Sequence, residues 1–187
     1  MPILAREKDA YPDDLLDRPE LGLEPGVGWW ALYTLSRREK QLMRQLVGLE
    51  VAFYTPVVSR RKRSPSGRIR TTYAPLFPGY VFIYGTEEQR YLAMTTNCIS
   101  RCLSVADGRR LTEDLRQIRR LIETGAPLTP ESRLEPGMPV LIRSGSLTGL
   151  KGVVIKRQNE TRLLVSVDFL KQGASVLLDD CQLERLD

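Results

Sequence analysis

The sequence predicts an α+β fold in two parts, a mixed helix-and-strand domain followed by a small all-β domain. Three observations predict it. Up to about residue 124, aromatic and β-branched runs alternate with helical periods. A stretch with two prolines and no periodicity follows. Beyond it, short strand-like runs are separated by glycine or asparagine turns. The chain has 187 residues, enough for one medium domain or two small ones.

Residues 1–27 read as a disordered acidic tail. They hold Pro2, Pro12, Pro19 and Pro25, seven acids and no sustained apolar period. Trp29 to Leu35 reads as an aromatic-rich strand bounded by Gly28. Ser36-Arg37-Arg38-Glu39 fits a capping box, and Leu42, Met43, Leu46 and Val47 follow at helical spacing up to Gly48. Val51 to Val58 is a strand interrupted by Pro56. Tyr80 to Tyr84 is a strand, Thr86 to Gln89 a second capping box opening a helix through Met94, and Ile99 to Val105 a weaker strand. That β-α-β-β-α-β order is the ferredoxin-like arrangement. A last helix runs from Thr112, its N-cap, to about Thr124. Leu115, Ile118, Leu121 and Ile122 form its apolar face, and Gly125 ends it.

The domain organisation is therefore a tail over 1–27, a first domain over 28–124, a linker over 125–134 and a second domain over 135–187. Strands at Pro139–Arg143, Lys151–Arg157, Leu163–Phe169 and Ser175–Leu178 predict a small barrel for the last part.

Composition narrows the function. The chain has no histidine, which removes the commonest general base near neutral pH and the commonest nitrogen ligand for metals. Three cysteines without a C-x-x-C pair support neither a disulfide framework nor a zinc site. The adjacent acids Asp179-Asp180 point to opposite faces of a strand, and Glu87-Glu88 suit a helix N-terminus. No phosphate loop or nucleophile elbow is present. The expectation is a protein without catalysis, cofactor or metal. With no apolar run near the ~20 residues that span a bilayer and no secretory signal, the expected location is cytoplasmic.

Charge points to the partner. The first 27 residues carry −4 of the overall +5, so residues 28–187 carry +9, which suits a polyanion or an acidic protein surface. Arg60, Arg61, Lys62, Arg63, Arg68 and Arg70 fall within eleven residues that also hold Pro65 and Gly67. No acid occurs from Val51 to Thr86. This segment reads as an exposed hairpin tip or loop that contacts DNA or RNA phosphates, largely without regard to sequence.

Two segments carry a family resemblance. One is Pro75-Leu76-Phe77-Pro78-Gly79-Tyr80-Val81-Phe82, downstream of Trp29-Trp30-Ala31-Leu32-Tyr33. The other runs from Glu135-Pro136-Gly137-Met138 through Gly145-Ser146-Leu147-Thr148-Gly149-Leu150-Lys151-Gly152. Together, over residues 29–187, the chain resembles the NusG family, with an NGN domain followed by an SH3-like KOW barrel. The tail and the basic segment favour a specialised RfaH-like paralogue.

The resemblance implies a transcription elongation or antitermination factor, monomeric, whose NGN domain grips the clamp helices of the largest RNA polymerase subunit. Tyr33, Phe77 and Val105 match pocket positions of that interface. It also implies contact with non-template DNA or nascent RNA. The KOW domain is expected to recruit a second partner, Rho or a small-subunit ribosomal protein. Leu147 and Leu150 stand where the family has aromatic residues, and with Phe169 they are the expected KOW contacts. The gate-loop element of specialised members needs a histidine that this chain lacks. The alternative is a KOW-type ribosomal or general RNA-binding protein, against which stands the balanced charge of the second domain.

Overall fold

The computed structural model describes residues 7–63, 67, 69–133, 136–157, 160–178 and 183–186. The chain is a mixed helix-and-sheet protein that divides into two compact units, residues 1–109 and 110–187. In the first unit the order is β1 (Ala10–Tyr11), a 3-10 turn (Leu15–Asp17), β2 (Gly28–Thr34), α1 (Glu39–Gly48), β3 (Ala52–Tyr54), β4 (Val57–Arg63), β5 (Ile69–Pro75), β6 (Tyr80–Gly85), α2 (Glu87–Met94) and β7 (Ile99–Ser104). Helix α3 (Gly108–Glu123) begins at its end and lies mostly in the second unit. There follow β8 (Thr129–Glu131), β9 (Met138–Ile142), β10 (Lys151–Arg157), β11 (Glu160–Val167), a 3-10 turn (Asp168–Leu170), β12 (Gln172–Leu177) and β13 (Leu183–Arg185).

The first unit is built on a five-stranded antiparallel sheet in the order β1-β3-β6-β2-β7. Side chains on strands alternate between faces. Leu32, Phe53, Val81 and Ile83 share one face and pack with Leu42, Met43 and Leu46 of α1 and Ala93 of α2 into one core cluster. The opposite face receives Trp29, Ala31 and Tyr33 of β2 with their cross-strand partners Tyr84, Phe82 and Tyr80 of β6.

The N-terminal stretch is not a disordered tail where it is described. Glu7 pairs with Arg44 of α1 at 3.0 Å, β1 adds to the edge of β3, and Thr55 N–H donates to Asp9 C=O at 2.7 Å. The chain then wraps the sheet edge, burying Leu15, Leu16 and Leu21. Gly22 N–H donates to Tyr84 Oη at 3.1 Å, on the face away from α1. Gly22 sits at φ +85°, and a Cβ there would stand 3.0 Å from the Gly108 carbonyl, so only glycine passes. Burial raises the Tyr84 pKa, so the phenol stays protonated through neutral pH. The isolated leucines of this segment give no period, yet each finds the sheet.

Local expectations divide by what the side chains find in space. The Thr86 capping box forms: Thr86 Oγ1 accepts from Gln89 N–H, and Gln89 Oε1 accepts from Thr86 N–H. The Ser36 box does not. Helix α1 starts at Glu39 behind Arg38, without a side-chain cap, and Arg37 has φ +60°. The Glu39 carboxylate accepts from Gly79 N–H at 2.9 Å instead. Likewise α3 starts at Gly108, so Thr112 is a buried helix-interior residue and not the cap. The expected strand from Val51 to Val58 is broken near Pro56 into β3 and β4, and β4 pairs with β5 as a separate two-stranded sheet.

The second unit has a six-stranded antiparallel sheet in the order β13-β9-β10-β11-β12-β8. Its core includes Val140, Ile142, Ile155, Leu163, Val165, Val167 and Val176. Part of the expected linker is a strand here, since β8 pairs with β12. A polar network holds it. Arg162 donates to Ser175 Oγ at 3.0 Å, Thr129 Oγ1 at 2.9 Å and Glu160 at 3.0 Å. Ser175 Oγ donates to Glu131 at 2.7 Å, and Glu131 pairs with Arg157 at 3.2 Å. Two clips seat α3 within this unit. Asp168 N–H donates to the Asp114 carboxylate at 2.8 Å, and Lys151 N–H donates to Gln117 Oε1 at 3.1 Å.

Candidate functional site

The exposed end of the sheet face opposite α1 is the candidate site in the first unit. Tyr33 is 42% exposed on β2, unusual for a large aromatic flanked by buried Leu32 and Thr34. Its ring lies 5.1 Å from that of Tyr80, tilted by 59°, within the contact distance of favourable aromatic pairs. Leu103 of β7, 41% exposed, belongs to the same face, since it pairs with Ala31 and Arg101 pairs with Tyr33. The pairing of β2 with β7 shifts register between Tyr33 and Thr34, and Ser100 Oγ donates to Tyr33 C=O at 3.0 Å. A bulge of this kind re-aims a side chain at a sheet end.

The Pro78-Gly79 turn holds this surface from below. Thr34 N–H donates to Gly79 C=O at 2.8 Å while Gly79 N–H donates to Glu39. Gly79 has φ +83°, and a Cβ on it would stand 2.9 Å from Tyr33 Cε2. Glycine is required twice, for the turn and for the tyrosine ring that lies against it.

The three expected pocket residues separate. Tyr33 is on the surface. Phe77 is 2% exposed and belongs to the core beside Leu76, so its ring offers no surface to a partner. Val105 follows β7 and donates its N–H to Trp29 C=O, at the other end of β2 from Tyr33. Tyr33 lies four residue steps along the strand from Trp29, about 13 Å. The residue packed on Tyr33 is instead Tyr80, with Leu103 on the same face; their signal was cross-strand parity with Tyr33 and Ala31.

The basic segment forms the arms of the β4–β5 hairpin, paired from Val57 opposite Pro75 to Arg63 opposite Ile69. Arg60 is exposed on β4, and its C=O accepts from Thr72 Oγ1 at 3.3 Å. Arg61, Lys62, Arg63 and Arg70 lie on the paired strands, with their side chains outside the described residues; Arg68 and residues 64–66, which fall within the expected tip or loop, lie wholly outside them. Lys62 is directly opposite Arg70. Like charges in that register cost stability, on the order of a few tenths of a kcal/mol, unless a counter-anion offsets them.

In the second unit, Leu147 and Leu150, two of the expected KOW contacts, are buried core residues and offer little surface to a partner. The turn explains it. Gly145 and Gly149 adopt positive φ, Thr148 N–H donates to Gly145 C=O, and Ile142 N–H donates to Leu150 C=O, so both leucines fold inward. Phe169 is half-buried on the 3-10 turn. Asp179, Asp180 and Cys181 lie outside the described residues.

Comparison with known proteins decides the family. A family model described as transcription termination factor nusG matches residues 28–121, just over half of the chain. The chain belongs to the NusG family. Members of that family are transcription-associated and generally bind RNA polymerase. The match covers β2 to α3 of this NusG-family chain, including Tyr33, Tyr80 and the basic hairpin. Residues beyond 121 lie outside it. No curated protein matches the sequence. Among the described residues, no helix is long and apolar enough to cross a membrane.

Proposed function

We propose that the protein is a non-enzymatic, cytoplasmic transcription elongation or antitermination factor that docks on the clamp helices of RNA polymerase. The exposed Tyr33–Tyr80 pair carries the proposal. Two tyrosines packed in a tilted pair, on the same face as exposed Leu103, form an aromatic anchor of the kind that dominates interface energetics. The strand order β3-β6-β2-β7 supports reading the first unit as the ferredoxin-like NGN domain. The antiparallel second sheet, with its glycine turn at 145–149, supports reading the second unit as a KOW domain that takes a second partner, Rho or a small-subunit ribosomal protein. Phe169 is the aromatic that remains partly accessible there. The full chain is expected to co-migrate with polymerase core on gel filtration at low ionic strength. Independent migration of the two folded proteins contradicts the proposal.

The hairpin extends the reading to nucleic acid. Six cations on or beside β4 and β5 suit the phosphates of non-template DNA or nascent RNA near the polymerase. If all six engage a single strand, log K against log salt falls with a slope of about −4. Replacing Arg60, Arg61, Lys62 and Arg63 by glutamine flattens the slope measured by anisotropy to about −1.4. An unchanged slope places the phosphate contacts elsewhere.

A further inference from the structure

The second unit contains a charged groove of about 520 Å³ between α3 and the sheet. Arg110, Arg116 and Arg120 line the helical wall. Lys151 stands on the sheet wall, with Val153, Val165 and Leu186 as apolar lining. The groove is a fixed feature of the unit, because the Asp114–Asp168 and Gln117–Lys151 hydrogen bonds seat the helix along it.

The charges favour an anion. Two carboxylates, Glu113 and Asp114, also line the groove. Asp114 is already engaged by Asp168 N–H and by Arg110 at 3.3 Å, and it is nearly inaccessible. Arg120 and Lys151, one on each wall, are exposed and make no ion pair among the described residues. Arg116 and Arg120 are about one helical turn apart, roughly 6 Å along the axis. That matches the spacing of alternate side chains on an extended peptide, about 6.6 Å.

The lining chooses between polyanions. No aromatic side chain among the described residues lines the groove, so nothing there stacks a base. Val153 and Leu186, both half-buried, offer an aliphatic surface that a phosphate backbone leaves unused but that leucine or valine side chains fill. We propose that this groove binds an extended acidic segment of a partner protein, with aliphatic residues interleaved among its carboxylates. Its carboxylates meet Arg116, Arg120 and Lys151, and its aliphatic side chains lie on Val153 and Leu186.

The test is fluorescence anisotropy on the full chain with three labelled probes: a peptide alternating Glu and Leu, one alternating Lys and Leu, and an oligothymidylate. The Glu-Leu peptide is expected to bind, more weakly as salt rises. Arg120→Glu with Lys151→Glu is expected to reduce its affinity roughly tenfold or more. Lys156→Glu, an exposed cation of β10 outside the groove lining, is expected to change it by less than about twofold. Thermal melts check folding, and Arg120→Gln with Lys151→Gln replaces the reversals if they unfold the chain. The proposal is overturned if the Glu-Leu peptide fails to bind or if the paired groove variant leaves its affinity unchanged. It is equally overturned if the oligonucleotide binds more tightly than the peptide and is lost in the same variant.

Discussion

Replacing both Tyr33 and Tyr80 by alanine is expected to weaken binding to the polymerase clamp helices by roughly tenfold to a hundredfold, with little change in melting temperature. The magnitude follows from the loss of an aromatic anchor, about 1.5–3 kcal/mol of buried apolar surface. The small stability cost follows from exposure: Tyr33 is among the exposed hydrophobics, and Tyr80 is half-exposed at the end of β6. Phe77→Ala is the informative contrast. A fully packed phenylalanine removed from the core costs about 3–5 kcal/mol. Any loss of polymerase binding in that variant therefore comes with unfolding. Titration of purified clamp helices, read by calorimetry alongside thermal melts, separates the two. Equal affinity of the double tyrosine variant and the parent places the interface elsewhere.

Removal of residues 1–27 is expected to destabilise the first unit by several kcal/mol. Three buried leucines leave with the segment, each about 1.5–3 kcal/mol of burial as an upper estimate. The β1 pairing and the Tyr84 hydrogen bond leave too. Leu16→Ala alone is expected to cost about 2–5 kcal/mol. Urea unfolding of the two variants measures both. A truncated chain as stable as the parent means that the segment only rests on the sheet.

That second expectation reverses what local sequence suggests, and the reason is physical. Leu15, Leu16 and Leu21 lie among prolines and acids with no helical or strand period, and periodicity is the signal that local reading depends on. Their burial comes from the far face of a sheet whose strands lie elsewhere in the chain. Ser36 fails for a related reason. Its capping partner Glu39 has a better acceptor role at Gly79, forty residues on. Thr86 succeeds because both halves of its box are local.

The candidate site was half legible. Tyr33 and the basic segment stand out in the sequence, one as an aromatic in a strand and the other as an acid-free run. Tyr80 and Leu103 needed the pairing register, which parity along β2, β6 and β7 supplies only once the partners are known. Leu147 and Leu150 look like surface-loop residues until the positive-φ glycines at 145 and 149 turn them inward. The cations of α3 line a groove because Asp114 and Gln117 accept from backbone N–H groups of the second unit.

The central claim is that the tyrosine surface of β2 and β6 meets the polymerase clamp helices. Placing a photo-reactive benzoylphenylalanine at position 33 of the full chain, and mapping its cross-links on the elongating polymerase, tests it most directly. The expected product joins position 33 to the clamp helices of the largest subunit. Cross-links that map to another part of the polymerase, or only to nucleic acid, contradict the account.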